Sequence, residues 1–310
     1  MQESWQEPRR PGSALSRFVK LIIVLVIAGG IALCLLLAAI VSAVGRYASS
    51  DEMGPHLVLL SIEGPIYDAG ATLAILDRIR EDDECKGVLL RVDSPGGAVG
   101  ASQEIFASLK ALRAAGKPLA VSFGNIAASG GYYVSLAGEK IFANPGTLTG
   151  SIGVIVQFPE VEELLKKAGV SLQTVKSGAL KDVGSPARKA TPDELAYLQG
   201  VIDDSHDQFV GDVAAARGLS PDSVRRLADG RVYTGRQARA LGLVDTLGGL
   251  DAAQDWLEER TGLKDAEWVT EPRPRSRLEE FLDPDAETGI PGLFTSLRNR
   301  LSPGTFFMWP

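Results

Sequence analysis

Histidine and cysteine are both scarce in this chain, two of each in 310 residues. A structural zinc site takes four Cys or His ligands in clustered spacings, and no such cluster is present, so no metal site is expected. A hydrolase using histidine as general base could choose only between His56 and His206. Positive charge is also in deficit. The net charge is −7, which excludes nucleic acid as a partner for the protein as a whole. There is no internal repeat and no low-complexity segment. With 45% hydrophobic and 23% charged residues, the chain is neither disordered nor collagen-like and can bury a full core. Any acid–base chemistry here is expected to proceed without histidine.

One long hydrophobic run is present. Leu21 to Val44 carries no charged residue and as a helix would extend about 36 Å, against about 30 Å of bilayer hydrocarbon. The apolar core of a cleavable signal is shorter, so the run reads as an uncleaved anchor. Arg9, Arg10, Arg17 and Lys20 precede it, while Arg46, Asp51 and Glu52 follow. The positive-inside bias places residues 1–20 in the cytoplasm and the rest outside it. Cys34 falls in the span and Cys85 in the polar run EDDECKG, so the two do not pair. Cys34 reads as a small membrane residue and Cys85 as a loop or helix-end residue.

After a linker over 45–56 the pattern becomes alternating α/β. LVLLSI (57–62), GVLLRV (87–92) and PLAVSF (118–123) read as buried strands. Between them lie helices through Leu73, Leu76 and Ile79, and through Ile105, Phe106, Leu109 and Leu112. This alternation predicts parallel βαβ units. A further strand is expected over 171–176. A long helix is expected over 192–216, with Leu195, Leu198, Ile202, Phe209 and Val213 in one stripe and His206 on its flank as a packing residue. Residues 57–263 form the expected domain, and 264–310 a peripheral tail ending in apolar Phe306, Phe307, Met308 and Trp309.

Three glycine-rich points follow the strands. Asp93-Ser94-Pro95-Gly96-Gly97 stands at a strand's carboxyl end, where open α/β sheets gather their ligand sites. It reads equally as a tight turn. Gly124 to Gly131 contains Ser129, flanked by small residues where a helix begins. Such a serine can cap the helix or hold a hydroxyl where helix N–H groups stabilise negative charge. No GxSxG pentapeptide surrounds it, so an elbow of the α/β-hydrolase type is not expected. The third is Lys176-Ser177-Gly178-Ala179-Leu180-Lys181-Asp182. A lysine can act as base where burial leaves its amine neutral, and spacing does not separate Lys181 from Lys176.

Taken in order, LLRVDSPGGAVGAS, GNIAASGGYYVS, PGTLTGSIGV, KSGALKDVGSP and GRVYTGRQARALGLVDTLGG closely resemble the signal peptide peptidase A family in its short, single-repeat bacterial form. The resemblance covers about residues 57–262. It implies an α/β fold of the crotonase-like, Clp-protease-like type, a spiral of βα units preceded here by one transmembrane helix. It also implies peptide-bond hydrolysis by a Ser/Lys dyad without a cofactor. Ser129 matches the nucleophile and Lys181 the general base. Ser151 matches a serine that hydrogen-bonds the lysine, and Gly97 and Gly130 match backbone donors of an oxyanion hole. Remnant signal peptides are the implied substrates, a homo-oligomeric ring the implied assembly, and the inner (cytoplasmic) membrane the implied location. In the short form the lysine comes from a neighbouring protomer.

Other readings are an acyl-CoA enzyme of the crotonase fold, a scaffold that keeps the fold without the chemistry, and a related membrane protease with another client. Coenzyme A is cytosolic, whereas the domain is expected outside, and a strand-end pair of glutamates is lacking. The presence of Ser129 and Lys181 counts against the scaffold.

Overall fold

A computed structural model describes residues 54–271, together with Ile23, Gly30, Ile31 and the backbone of Phe306–Met308. The chain divides into two compact units, Met1–Gly54 and Pro55–Pro310, and the fold below is that of the second. The expected span over 21–44 lies outside the described residues apart from Ile23, Gly30 and Ile31. Among the described residues no helix is long and apolar enough to cross a membrane.

In chain order the elements are β1 (His56–Glu63), α1 (Gly70–Glu81), β2 (Cys85–Ser94), β3 (Gly96–Ala98), α2 (Val99–Ala114), β4 (Leu119–Ala128) and α3 (Gly130–Ser135). There follow β5 (Lys140–Ala143), β6 (Leu148–Gly150), α4 (Glu162–Lys167), α5 (Pro192–Arg217), α6 (Pro221–Arg225), β7 (Val232–Thr234) and α7 (Gly235–Ala240). The last are β8 (Thr246–Leu247), α8 (Leu250–Thr261), β9 (Glu267–Glu271) and β10 (Phe306–Met308). The main sheet runs β7-β6-β4-β2-β1-β9, with β5 joined to β4 and β8. Its ladders are parallel except β6 with β7. The result is a mixed α/β fold on a largely parallel sheet, as the alternation predicts.

The near-continuous apolar strands are explained by burial on both faces. Val58, Leu60, Ile62, Val88, Leu90, Val92, Leu119, Val121 and Phe123 join the larger core, packed with α2, α3 and α5. The alternate residues Leu57, Leu89 and Ala120 point the other way, to Phe142 and to Ala253 and Leu257 of α8. Period-two alternation thus feeds two cores from single strands. A fully buried aliphatic or aromatic side chain contributes about 1.5–3 kcal/mol.

Helix α5 starts on a capping box, Thr191 with Glu194, with Pro192 in its first turn. Only its C-terminal half docks fully. Phe209, Val210 and Val213 are buried, and Phe209 meets Tyr133 edge-on at 5.0 Å between ring centroids. In the N-terminal half, Leu195, Tyr197 and Val201 face water.

The expected strand over 171–176 does not form. Those residues are irregular and exposed, and no strand among the described residues pairs with them. His56, expected in a linker, opens β1 and is buried, with Nε2 3.2 Å from the Asp82 carboxylate. It stands at the amino end of the strand, whereas the glycine-rich turns follow strand carboxyl ends. Cys85 opens β2 instead of lying in a loop, and burial pushes its thiol pKa up despite nearby Lys117. Glu267–Glu271, expected in the tail, pair with β1 as the edge of the main sheet.

Candidate active site

Strand β4 carries the centre of the site. Its first half pairs with β5 through Ala120, Val121 and Ser122. Its second half leaves β5 and pairs with β6, Ile126 opposite Leu148 and Ala128 opposite Gly150. The next residues in each strand direction, Ser129 and Ser151, are therefore brought side by side. Ser129 N–H donates to Gly150 O at 2.8 Å, and Thr149 Oγ1 donates to Ala127 O at 2.6 Å, so the two strand ends are locked together.

Ser129 stands between β4 and α3 with φ 54° and ψ −119°. A non-glycine residue held there costs about 1–3 kcal/mol, which the surrounding structure must offset. It does not cap the helix by its side chain. It is 0% exposed, and its Oγ has no hydrogen-bond partner among the described residues. Leaving a buried hydroxyl unpaired costs about a further 1–3 kcal/mol. The capping reading therefore fails: a cap would have spent this oxygen on the helix. A strand–turn–helix elbow is present although GxSxG is absent, with Ala127, Ala128, Gly130 and Gly131 as its small neighbours. Ser151 has φ 50° and is 5% exposed, and its N–H donates to Arg231 O at 2.9 Å.

The Asp93–Gly97 turn closes the other side, and its glycines prove to be a short strand as well as a turn. A Cβ built on Gly130 would lie 3.1 Å from Gly97 N and 2.5 Å from Ser102 Oγ, so the two glycines adjoin and no side chain fits between them. Gly130 opens α3, where an N–H has no acceptor within the helix. The Asp93 carboxylate joins the turn to the second half of β4, just before Ser129, accepting from Asn125 Nδ2 at 2.9 Å and Ile126 N at 3.1 Å. Ser102 Oγ donates to Ala98 O at 3.0 Å. Sequence reasoning missed Asp93 and Ser102 as positioning groups. Both lie inside LLRVDSPGGAVGAS, but only the fold reveals what they hold.

Lys181 is not brought to this centre within the chain. It is exposed and has no side-chain hydrogen bond or ion pair among the described residues. Lys176 differs. Its ammonium donates to Ala179 O at 2.7 Å and forms an ion pair with Asp182. Asp182 also binds Arg188, which holds Glu194. Hydrogen bonds from Arg188, then Lys176, keep the Asp182 carboxyl well below its ordinary range. Arg188 and the Thr191 backbone hold that of Glu194 down to about 2. Gly97 and Gly130 lie at the buried centre, and Ser151 beside it. His206 is half-buried on α5, its Nε2 without a partner among the described residues. No cluster of three or more His, Cys, Asp or Glu suited to a metal occurs among those residues.

A partnerless hydroxyl beside two glycine backbones is equipment for attack on a carbonyl, with N–H donors close to where negative charge would develop. Comparison with known proteins agrees on the class. The sequence pattern of "Peptidase family S49" matches residues 111–264, which include Ser129, Ser151 and Lys181. A "Putative protease" of Synechocystis sp. is 45% identical over 215 residues, 67% of this chain and 77% of that protein. A "Putative signal peptide peptidase SppA" of Enterococcus faecium is 42% identical over 223 residues, 68% of this chain and 65% of its own. "Protease 4" of Salmonella typhi is 43% identical over 185 residues, 60% of this chain but 30% of that longer protein. The chain belongs to peptidase family S49, within its signal peptide peptidase A group, and its class of reaction is peptide hydrolysis.

Proposed function

We propose that this chain is a membrane-anchored serine endopeptidase of the crotonase-like fold in which Ser129 is the nucleophile and Lys181 the general base. The observation that carries the reading is the buried, strained and unpaired Ser129 hydroxyl. Ser129 Oγ bonds to the peptide carbonyl carbon while neutral Lys181 takes its proton. Gly97 and Gly130 N–H groups stabilise the oxyanion, a role in which one donor is worth about 3–4 kcal/mol. The C–N bond then breaks, and the Lys181 ammonium gives its proton to the leaving amine. Water, deprotonated by Lys181, cleaves the acyl-enzyme. Ser151, beside Ser129, orients the lysine amine. Lys181 is favoured over Lys176 because Lys176 is tied to Asp182 and Ala179 O.

Lys181 acts in the site of a neighbouring copy. Its exposure supports this, as do Leu172, Val175 and Leu180 around it, which are exposed together with Leu195 and Tyr197 of α5. A homo-oligomeric ring would cover this apolar surface and bring the Lys181 amine against a neighbouring copy. The substrates are remnant signal peptides in the inner (cytoplasmic) membrane. The apolar run 21–44 supports an anchor there with the catalytic domain outside the cytoplasm, and one similar protein is named as a signal peptide peptidase.

The test is cleavage of a hydrophobic signal-like peptide by the full chain and by Ser129→Ala and Lys181→Ala. Loss in both variants is expected. Full activity in either defeats the dyad, and a wild type inert on peptides but active on an acyl-CoA overturns the peptidase reading.

A further inference from the structure

Helix α3 follows Ser129 directly and has only six residues, all of them buried. A helix of that length has little stability of its own, so its placement is that of whatever anchors it. Two glycines open it and two tyrosines follow. Tyr132 Oη donates to Leu243 O at 2.9 Å. The Tyr133 hydroxyl donates instead to the half-buried Asp212 carboxylate on α5. Gln103 of α2 hydrogen-bonds the same phenol and donates from Nε2 to Oε1 of Gln208, one turn before Asp212, at 3.0 Å. Phe106 and Phe209 meet the Tyr133 ring edge-on, at 5.1 and 5.0 Å between centroids. Burial, and next the bond to Asp212, push the phenol pKa well up, so the hydroxyl remains a donor.

Tyr133 also fixes the backbone at the nucleophile. Its N–H donates to Ser129 O at 2.8 Å, while Ser129 N–H donates to Gly150 O at 2.8 Å. The peptide groups on either side of the Ser129 torsions are thus both gripped. The Ser129 carbonyl and the Gly130 N–H belong to one planar peptide unit. Whatever sets the direction of that carbonyl therefore sets the direction of the Gly130 donor. We infer that Asp212 is a positioning residue for the reaction: through the Tyr133 hydroxyl it sets the peptide plane shared by Ser129 and Gly130, and so aims the nucleophile and one oxyanion donor together. Asp212 acts through Tyr133 and not on the substrate. This rests on the reading of Ser129 as nucleophile and Gly130 as donor.

The test is cleavage of a hydrophobic signal-like peptide by variants of the full chain. Tyr133→Phe keeps the ring and its edge contacts but removes the donor. Tyr133→Phe and Asp212→Ala should each lower kcat about tenfold and leave KM unchanged, because the geometry of attack is altered and peptide binding is not. The double variant should be no slower than the slower single one, since both changes remove the same bond. Asp212→Asn still offers the phenol an acceptor and should recover most of the lost rate. A merely structural bond would lower the melting temperature and leave kcat of the folded protein at the wild-type level. An unchanged kcat in either single variant overturns the inference, as do losses that multiply in the double variant or a loss carried by KM. The reading beneath it fails differently. If Ser129→Ala kept its activity, the nucleophile would be wrong and this inference would fall with it. If Ser129→Ala is dead while Tyr133→Phe keeps its kcat, the inference alone falls.

Discussion

The surroundings of Ser129 and those of Lys181 differ in almost every physical respect. Around Ser129, β2, β3, β4, β6 and α3 converge, the side chains are buried, and strain is held in place by hydrogen bonds to Asp93 and Gly150 and from Thr149. Around Lys181 the chain from 168 to 190 has no helix or strand, and Val175 and Leu172 are open to water. The charged cluster of Lys176, Asp182, Arg188 and Glu194 ties that segment to the start of α5, and Val161 N–H donates to Pro186 O at 2.8 Å. One region is over-determined and carries an unspent hydroxyl; the other is under-packed and carries an unspent amine. Each lacks what the other has, as expected if two copies complete one site.

The sharpest way to break this contrast is at the two groups themselves. Ser129→Ala and Lys181→Ala should each lower kcat/KM by ~10³-fold or more, while Lys176→Ala stays near wild type. Co-expression of the two inactive chains should restore part of the activity, and none would return if serine and lysine had to lie on one chain. Next in size, Asp93→Ala should cost about 10²-fold in kcat through misplacement of the Ser129 loop, with KM little changed. A fall in KM-linked binding alone, read from full progress curves, would count against a positioning role.

Smaller effects belong to the open region. Val175→Glu should lower the mass seen by ultracentrifugation, together with activity, but leave the melting temperature of the folded body unchanged, since the side chain is buried in no core. Smallest is the acid response. The Asp182 and Glu194 carboxyls are depressed in the folded chain. Their contribution is thus present above the ordinary carboxylate range and is lost as pH falls toward about 2, the value to which Glu194 is held. Limited proteolysis by pepsin should cut 176–190 at a higher pH in Arg188→Ala than in wild type, because the change takes the guanidinium from both carboxylates.

The parallel strands were legible because burial on both faces leaves a continuous apolar run that few other structures produce. The long helix was legible too, from its periodic stripe, although periodicity did not reveal that Leu195 faces water. The strand expected at 171–176 went wrong for a related reason: apolar Leu172 and Val175 in a polar stretch do not say what would pair with or cover them. Ser129 was visible as a candidate, but cap and nucleophile have the same residue type at the same place. Only the backbone angle and the unpaired oxygen separate them. Asp93 was hidden because its partners, Asn125 and Ile126, reach it only once β2 lies beside β4, and Ser102 because its closeness to Gly130 needs α2 packed on α3. Strand β9 was hidden by a short, charged sequence whose burial comes from β1.

The composition of β3 has a consequence for what the enzyme can notice. A peptide lying along Gly96–Ala98 meets two residues with no side chain and one with a single methyl group. A Cβ on Gly97 would come within 1.9 Å of Ile66 O, so the middle of this edge has no room for a side chain. Along these three residues a client is met by its backbone alone. The question asked of it there is whether it is unfolded, not what it says.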